Sequence, residues 1–245
     1  MKVSTNHQDT GKPCGFGVLT FALVFPTILT WVYFSLLDGG DSAIQQVAYT
    51  VGKVVQFGLP LFWVLWVLRR RVRIGYRGGG LLPGALFGVL AGGGIYLLYR
   101  WWLLPGDSLV GPVEVMRAKV VGIGIDTQMK FALLGLGYSA VHSLLEEYYW
   151  RWFVFAQLRN RTSMLTAVVV SSLGFMAHHV IVLATYFGWD SPISYLASIG
   201  VAVGGAVWAL LYERTGSLYG GWLSHCLVDA AIFLIGFEML RPYLA

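Results

Sequence analysis

Charge is what this sequence has least of: Asp, Glu, Lys and Arg make up 12% of 245 residues, about half the share usual in a soluble domain. With 57% hydrophobic residues and a mean hydropathy of +0.67, the chain lacks the polar surface that a water-soluble fold requires. Cysteine is nearly missing too. Cys14 and Cys226 cannot frame a disulfide scaffold, because the first lies in a polar amino-terminal tail and the second inside the last apolar run, where it reads as a buried structural thiol. No Pro/Ser linker, low-complexity tract or internal repeat divides the chain, so residues 1–245 read as a single integral membrane domain with short loops. Gly92-Gly93-Gly94 interrupts an apolar run rather than following a strand, which argues against a phosphate loop and for close helix packing or bending.

Long apolar runs are what the sequence does have. A transmembrane helix needs roughly 20 mostly apolar residues, and such runs are read at 17–37, 47–68, 81–104, 130–157, 164–187, 193–212 and 218–238. The expected fold is all-α, a polytopic transmembrane helical bundle of about seven spans. Between the third and fourth runs, Pro112–Gln128 reads as an interfacial helix, since Val113, Met116, Val120 and Val121 recur at helical spacing beside Glu114, Arg117 and Lys119. The first run outlasts the roughly 7–15 apolar residues of a cleaved signal peptide and is read as a retained helix.

Basic residues then set the orientation. With the amino terminus in the cytoplasm, Lys2, Lys12, Arg69, Arg70, Arg71, Arg73, Arg77, Arg159, Arg161 and Arg214 lie inside. Lys53, Arg100, Arg117, Lys119, Lys130 and Arg241 are then left outside or near the outer interface. The net charge of +5 follows from these loops and implies no nucleic-acid partner. The lipid bilayer is the expected solvent, and the short chain with compact loops points to a bacterial inner membrane with a cytoplasmic N-terminus.

Polar groups concentrate where lipid should exclude them. The fourth run contains His142-Ser-Leu-Leu-Glu146-Glu147-Tyr-Tyr-Trp-Arg151, although a charged residue at mid-membrane costs roughly 2.5–3.5 kcal/mol on insertion scales. Such groups need partners or a cavity. Residues four apart nearly share an azimuth on a helix whereas neighbours diverge by about 100°. Glu147 and Arg151 therefore form a natural pair, and Glu146 shares another face with His142. The fifth run carries Phe175-Met-Ala-His178-His179, in which Phe175 can pack below His179, and the seventh carries His225-Cys-Leu-Val-Asp229, in which Asp229 can reach His225. His142 and His178 each read as structural hydrogen-bonding groups. Trp101, Trp102, Trp189 and Trp222 lie near run ends, as an aromatic belt would.

Taken in order, Glu146-Glu147-x-x-x-Arg151, Phe175-x-x-x-His179 and His225-x-x-x-Asp229 on three separate runs resemble the CAAX-protease and bacteriocin-processing (CPBP or Abi) family of glutamate-type intramembrane proteases. The resemblance covers about residues 130–238, which would form the catalytic helical core. It implies that Glu146 and His179 activate water for attack on a peptide carbonyl, while Glu147 and Arg151 organise the site. His225 and Asp229 correspond to the family's oxyanion-stabilising positions, where Asn or Asp is accepted at the last. Chemistry agrees with the first role, because a carboxylate shielded from bulk water is a stronger base and an imidazole can align the water.

Asp229 is open to more than one role. An ionised carboxylate repels an oxyanion, so Asp229 acts protonated or by orienting His225. A third reading makes Glu146, His179, His225 and Asp229 zinc ligands around an open water position. The sequence lacks HExxH, and a metal-free site without cofactor is preferred.

The implied function is an intramembrane endopeptidase acting on a membrane-anchored or lipidated protein or peptide. A proton-coupled transporter and a non-catalytic immunity or binding protein of the same family are the alternatives. Depth along the helices fits only in part. At about 1.5 Å per residue, Glu146 lies roughly 15 Å from an inner end near Gln157 and His225 roughly 10 Å into its run, whereas His179 lies roughly 22 Å into its own. A tilt or a longer helix must reconcile them.

Overall fold

The computed structural model describes residues 15–69 and 79–245, and these form helices with no strand among them. Lys2, Lys12, Cys14, Arg70, Arg71, Arg73 and Arg77, on which much of the orientation rests, lie outside the described residues. The helices are α1 (Phe16–Leu36), α2 (Ala43–Val67), α3 (Leu81–Leu103), α4 (Val110–Gly122), α5 (128–159), α6 (Met164–Phe187), α7 (Pro192–Thr215) and α8 (Tyr219–Leu240).

Six of them, α1, α2, α3, α6, α7 and α8, are long and apolar enough to cross a membrane. The acids, histidine and basic residues of α5 lower its hydropathy, and with α5 the helices match the seven expected spans. Burial is inverted relative to a soluble protein: Leu90 is 74% exposed and Leu165 70%, while Glu147, Arg151 and Gln157 are buried. Only a lipid solvent makes that distribution favourable, since the apolar exterior then faces hydrocarbon and the polar groups face one another.

Short polar signals end the helices. The Asp41 carboxylate accepts from the Ala43 and Ile44 amides at 2.7 and 3.3 Å, opening α2. Ser163 Oγ accepts from the Thr166 amide at 3.2 Å and opens α6. Pro192 begins α7, and Gly216 ends it in the left-handed region at φ 64°.

Two prolines tie the first helices to α5. Pro26 lacks the amide hydrogen that would satisfy the carbonyl one turn earlier, and Tyr149 OH donates to that Ala22 carbonyl at 2.7 Å. Pro60 leaves a similar gap in α2, beside which Tyr148 OH reaches the Phe57 carbonyl at 3.4 Å. Tyr149 thus answers the break in α1, and its neighbour Tyr148 ties α2 to α5 beside the second proline.

Glycine brings α3 against α8. A Cβ on Gly84 would strike the Gly220 carbonyl, one on Gly88 would lie 2.8 Å from the Ser224 carbonyl, and one on Gly92 would lie 3.1 Å from Ala231 Cβ. This is the small-xxx-small packing by which membrane helices approach closely. Of the glycine triplet, only Gly92 serves the seam, as Gly93 and Gly94 face open space.

Candidate active site

Helix α5 is regular over Gln128–Gly137, Ser143–Glu147 and Ala156–Arg159, and the middle stretch carries both acids. On either side, at Tyr138–His142 and Tyr148–Phe155, its turns widen to the five-residue hydrogen-bonding pattern of a π-helix. Such widened turns recur at functional sites because they re-aim side chains without breaking the helix. Here they bracket Glu146 and Glu147.

The two acids meet different surroundings. Glu147 Oε1 lies 2.9 Å from Arg151 Nη1, the one-turn pair expected from the spacing, and it also accepts from His225 Nδ1 at 3.0 Å. Arg151 Nη2 donates to the Gly205 carbonyl at 3.3 Å, and the guanidinium lies over the rings of Phe175 and Trp208 at 4.7 and 5.0 Å. Hydrogen bonds and aromatic faces replace the water these charges give up. Glycine makes the room: a Cβ on Gly221 would lie 2.7 Å from Glu147 Oε2, and one on Gly205 would lie 3.4 Å from Arg151 Nη2.

Among the described residues, no guanidinium nitrogen lies within 4.0 Å of a Glu146 oxygen. Its Oε1 lies 3.3 Å from His142 Nε2 and 3.6 Å from His178 Nε2, and its Oε2 lies 3.7 Å from His225 Nε2. Imidazoles from α5, α6 and α8 therefore surround one buried carboxylate. His142 shares the face of Glu146, as four-residue spacing requires. His178 lies parallel to the Trp150 ring, with centroids 5.9 Å apart, and among the described residues its Nδ1 has no hydrogen-bond partner.

His179 is placed differently. Its Nδ1 lies 2.9 Å from the Phe175 carbonyl and must donate, because a carbonyl only accepts. In the neutral ring Nε2 then carries the basic lone pair. The ring packs on Phe175 at 4.7 Å and on His178 at 4.2 Å. Among the described residues, neither of its nitrogens comes within 4.0 Å of a carboxylate oxygen.

His225 is held on three sides. Its ring stacks on Trp208 at 4.1 Å, and the indole Nε1 of Trp208 donates to Ser224 Oγ at 2.9 Å. With Nδ1 committed to Glu147, Nε2 faces Glu146 Oε2 and Asp229 Oδ1, each at 3.7 Å. Asp229 thus approaches His225 across one turn without reaching hydrogen-bond length.

The depths on α5 and α6 agree once the ends of these two helices are known. At about 1.5 Å per residue, Glu146 lies about 20 Å from residue 159 in α5 and His178 about 21 Å from Met164 in α6. A short turn joins those two ends, so the side chains meet at one level.

Glu146, Glu147, Arg151, His225 and Asp229 come together directly, with His179 against the His178 ring. His142 and His178, read from sequence as structural groups, lie nearest the Glu146 carboxylate. Lys53 is another surprise, expected outside or near the outer interface but half-buried in α2 over the Tyr49 and Phe57 rings. Among the described residues, no group of three or more His, Cys, Asp or Glu side chains is arranged to hold a metal ion.

Comparison with known proteins gives one match. The family model of Rce1-like, type II CAAX prenyl endopeptidase Rce1-like, matches residues 128–231. No curated protein and no solved structure matches the chain. The matched segment runs from the start of α5 into α8 and contains Glu146, Glu147, Arg151, His179, His225 and Asp229. Over residues 128–231 the chain is therefore similar to the Rce1-like family, in agreement with the resemblance read from the three motifs.

Proposed function

We propose that this integral membrane protein is an endopeptidase that cleaves a membrane-anchored or lipidated protein or peptide with a water activated by Glu146 and His179. The observation that carries the reading is the unequal treatment of two adjacent carboxylates. Glu147 is paired with Arg151 at 2.9 Å, whereas among the described residues Glu146 is met by imidazoles, at 3.3 to 3.7 Å, and not by a guanidinium. The Rce1-like match supports a membrane endopeptidase in general terms, and a prenylated CAAX peptide is the substrate class its description names.

In the proposed reaction Glu146 takes a proton from water while the free Nε2 of His179 aligns it, and the resulting hydroxide adds to the scissile carbonyl carbon. The negative charge on the carbonyl oxygen is met by the Nε2–H of His225. That ring serves best as an imidazolium, because only the doubly protonated form offers N–H both to Glu147 and to the Nε2 side. Asp229 acts in this scheme by favouring that charge and fixing the ring, which removes the need for a carboxylate to donate. Collapse of the intermediate breaks the C–N bond, and the proton held by Glu146 passes to the leaving amine.

The site would open toward the cytoplasm. Arg159 and Glu213 pair at 2.9 Å and bring the ends of α5 and α7 together, so Arg159, Arg161 and Arg214 mark one basic end of the bundle. A bacterial inner membrane with a cytoplasmic N-terminus is the proposed setting.

The test is cleavage of prenylated and membrane-anchored peptides by the purified full chain, with products identified by mass spectrometry. A peptide cut at one bond supports the reading. Proton-coupled solute flux through reconstituted vesicles without any cleavage would replace it with the transporter reading.

A further inference from the structure

A cavity of about 400 Å³ lies where the ends of α3 and α8 meet the start of α4. It is apart from the groups around Glu146, since Glu238 lies about 13 Å beyond Asp229 along α8 at 1.5 Å per residue. The seam that sets Gly84 by Gly220 and Gly88 by Ser224 makes α3 and α8 parallel, so both helices end at this level. Helix α8 begins just after the end of α7, where Glu213 pairs with Arg159, so the cavity is at the opposite end of the bundle from Arg159. Trp101 and Trp102, both exposed at the end of α3, mark this level as a membrane interface, where lipid headgroups lie.

Tyr99, Tyr243, Glu114 and Glu238 give the cavity polar walls, and Leu109 and Met239 give it apolar ones. Tyr96 OH donates to Glu238 Oε1 at 2.7 Å, but Glu238 Oε2 lies 3.9 Å from Arg100 Nη1 and Glu114 Oε2 lies 3.6 Å from Arg117 Nη1. Both ion pairs are longer than a hydrogen bond. The Arg117 guanidinium lies instead over the Tyr243 ring, at 4.8 Å. Two carboxylates and two guanidiniums thus balance around one cavity without closing on each other. A ligand with a single charge of either sign would be repelled by one half of this set, whereas a zwitterion meets an opposite charge at each end. A primary ammonium brings three N–H donors for the carboxylates and is favoured by the tyrosine faces, and a phosphodiester brings acceptors for the guanidiniums. A trimethylammonium has no N–H to give. At about 400 Å³ the cavity is at the small end of ligand pockets, suited to a headgroup whose chains run past the exposed Leu97 and Leu98 of α3.

We propose that this cavity binds a phospholipid headgroup that joins a primary ammonium to a phosphodiester, of the phosphatidylethanolamine kind, in the leaflet opposite the Arg159 end. The site stands independently of the endopeptidase reading. The test is native mass spectrometry of the full chain in detergent, incubated with equal amounts of phosphatidylethanolamine, phosphatidylcholine and phosphatidylglycerol of distinguishable acyl mass. The wild type is expected to retain phosphatidylethanolamine over the other two by about 10–100-fold, the worth of one hydrogen bond to a charged group. Glu238→Gln removes that preference. So does Glu114→Gln, whose side chain is mostly exposed and which serves where Glu238→Gln does not fold. Glycerophosphoethanolamine, the same headgroup without acyl chains, is expected not to displace the lipid at equal concentration. Equal retention of the three lipids by the wild type overturns the site and leaves a general lipid coat. A preference for phosphatidylglycerol overturns it in favour of an anion held by the arginines alone. Folded Glu238→Gln and Glu114→Gln proteins that both keep the wild-type preference place the lipid elsewhere, and displacement by glycerophosphoethanolamine at equal concentration makes the ligand a soluble molecule.

Discussion

His178 and His179 are neighbours on one helix, yet their rings have different work. His178 Nε2 lies 3.6 Å from Glu146, whereas His179 commits Nδ1 to the Phe175 carbonyl and leaves Nε2 as a base. His179→Ala is expected to lower peptide cleavage by at least about 100-fold, the usual worth of a general acid–base group, while His178→Ala keeps measurable turnover. Full activity in His179→Ala with loss in His178→Ala would exchange their roles. Asp229→Asn separates two further readings. If Asp229 only fixes His225, the amide keeps measurable activity; if it binds zinc, activity and metal content measured by mass spectrometry fall together. The pair Glu147 and Arg151 was legible from spacing because both sit on one helix. The contacts of Glu146 with His178 and of Glu147 with His225 cross between helices, and the widened turns of α5 alter the azimuths that spacing alone assumes.

The helices themselves were readable at nearly their true ends, since each apolar run must be long enough to cross lipid. The run 164–187 coincides with α6, and 193–212 falls short of α7 only at its polar end. The seam between α3 and α8 was not readable in the same way. Attention falls on the contiguous triplet Gly92-Gly93-Gly94, whereas packing uses Gly84, Gly88 and Gly92 one turn apart, and which face counts depends on a partner distant in sequence. A Cβ at Gly84 meets backbone, so Gly84→Ala must push α3 away from the helix that carries His225 and Asp229. It is expected to lower both the melting temperature in detergent and the cleavage rate. Gly93→Ala is the control: its Cβ meets nothing, and losing a helical glycine is worth up to about 1 kcal/mol in stability. Equal behaviour of the two variants would remove the seam from the account.

For the molecule as a whole, α6, α7 and α8 close around the polar groups of α5, while α1 and α2 are tied on by Tyr149 and Tyr148 and α3 holds α8. The leading helices carry no motif, so the sequence left their purpose open; in the structure they pack against α5 and α8. The proposed orientation rests on the basic end near Arg159. A single cysteine at Asn160, in a chain freed of Cys14 and Cys226, should react with an impermeant thiol reagent only from the cytoplasmic side, and labelling from the opposite side would invert the topology. The central claim is that Glu146 is the base, and Glu146→Gln tests it most directly because the amide keeps size and polarity while removing basicity. Cleavage of a membrane-anchored peptide should be measured with equal amounts of purified wild-type and Glu146→Gln protein of matching melting temperature. The account predicts cleavage by the wild type and none above background by the variant; turnover by the variant near the wild-type rate would contradict it.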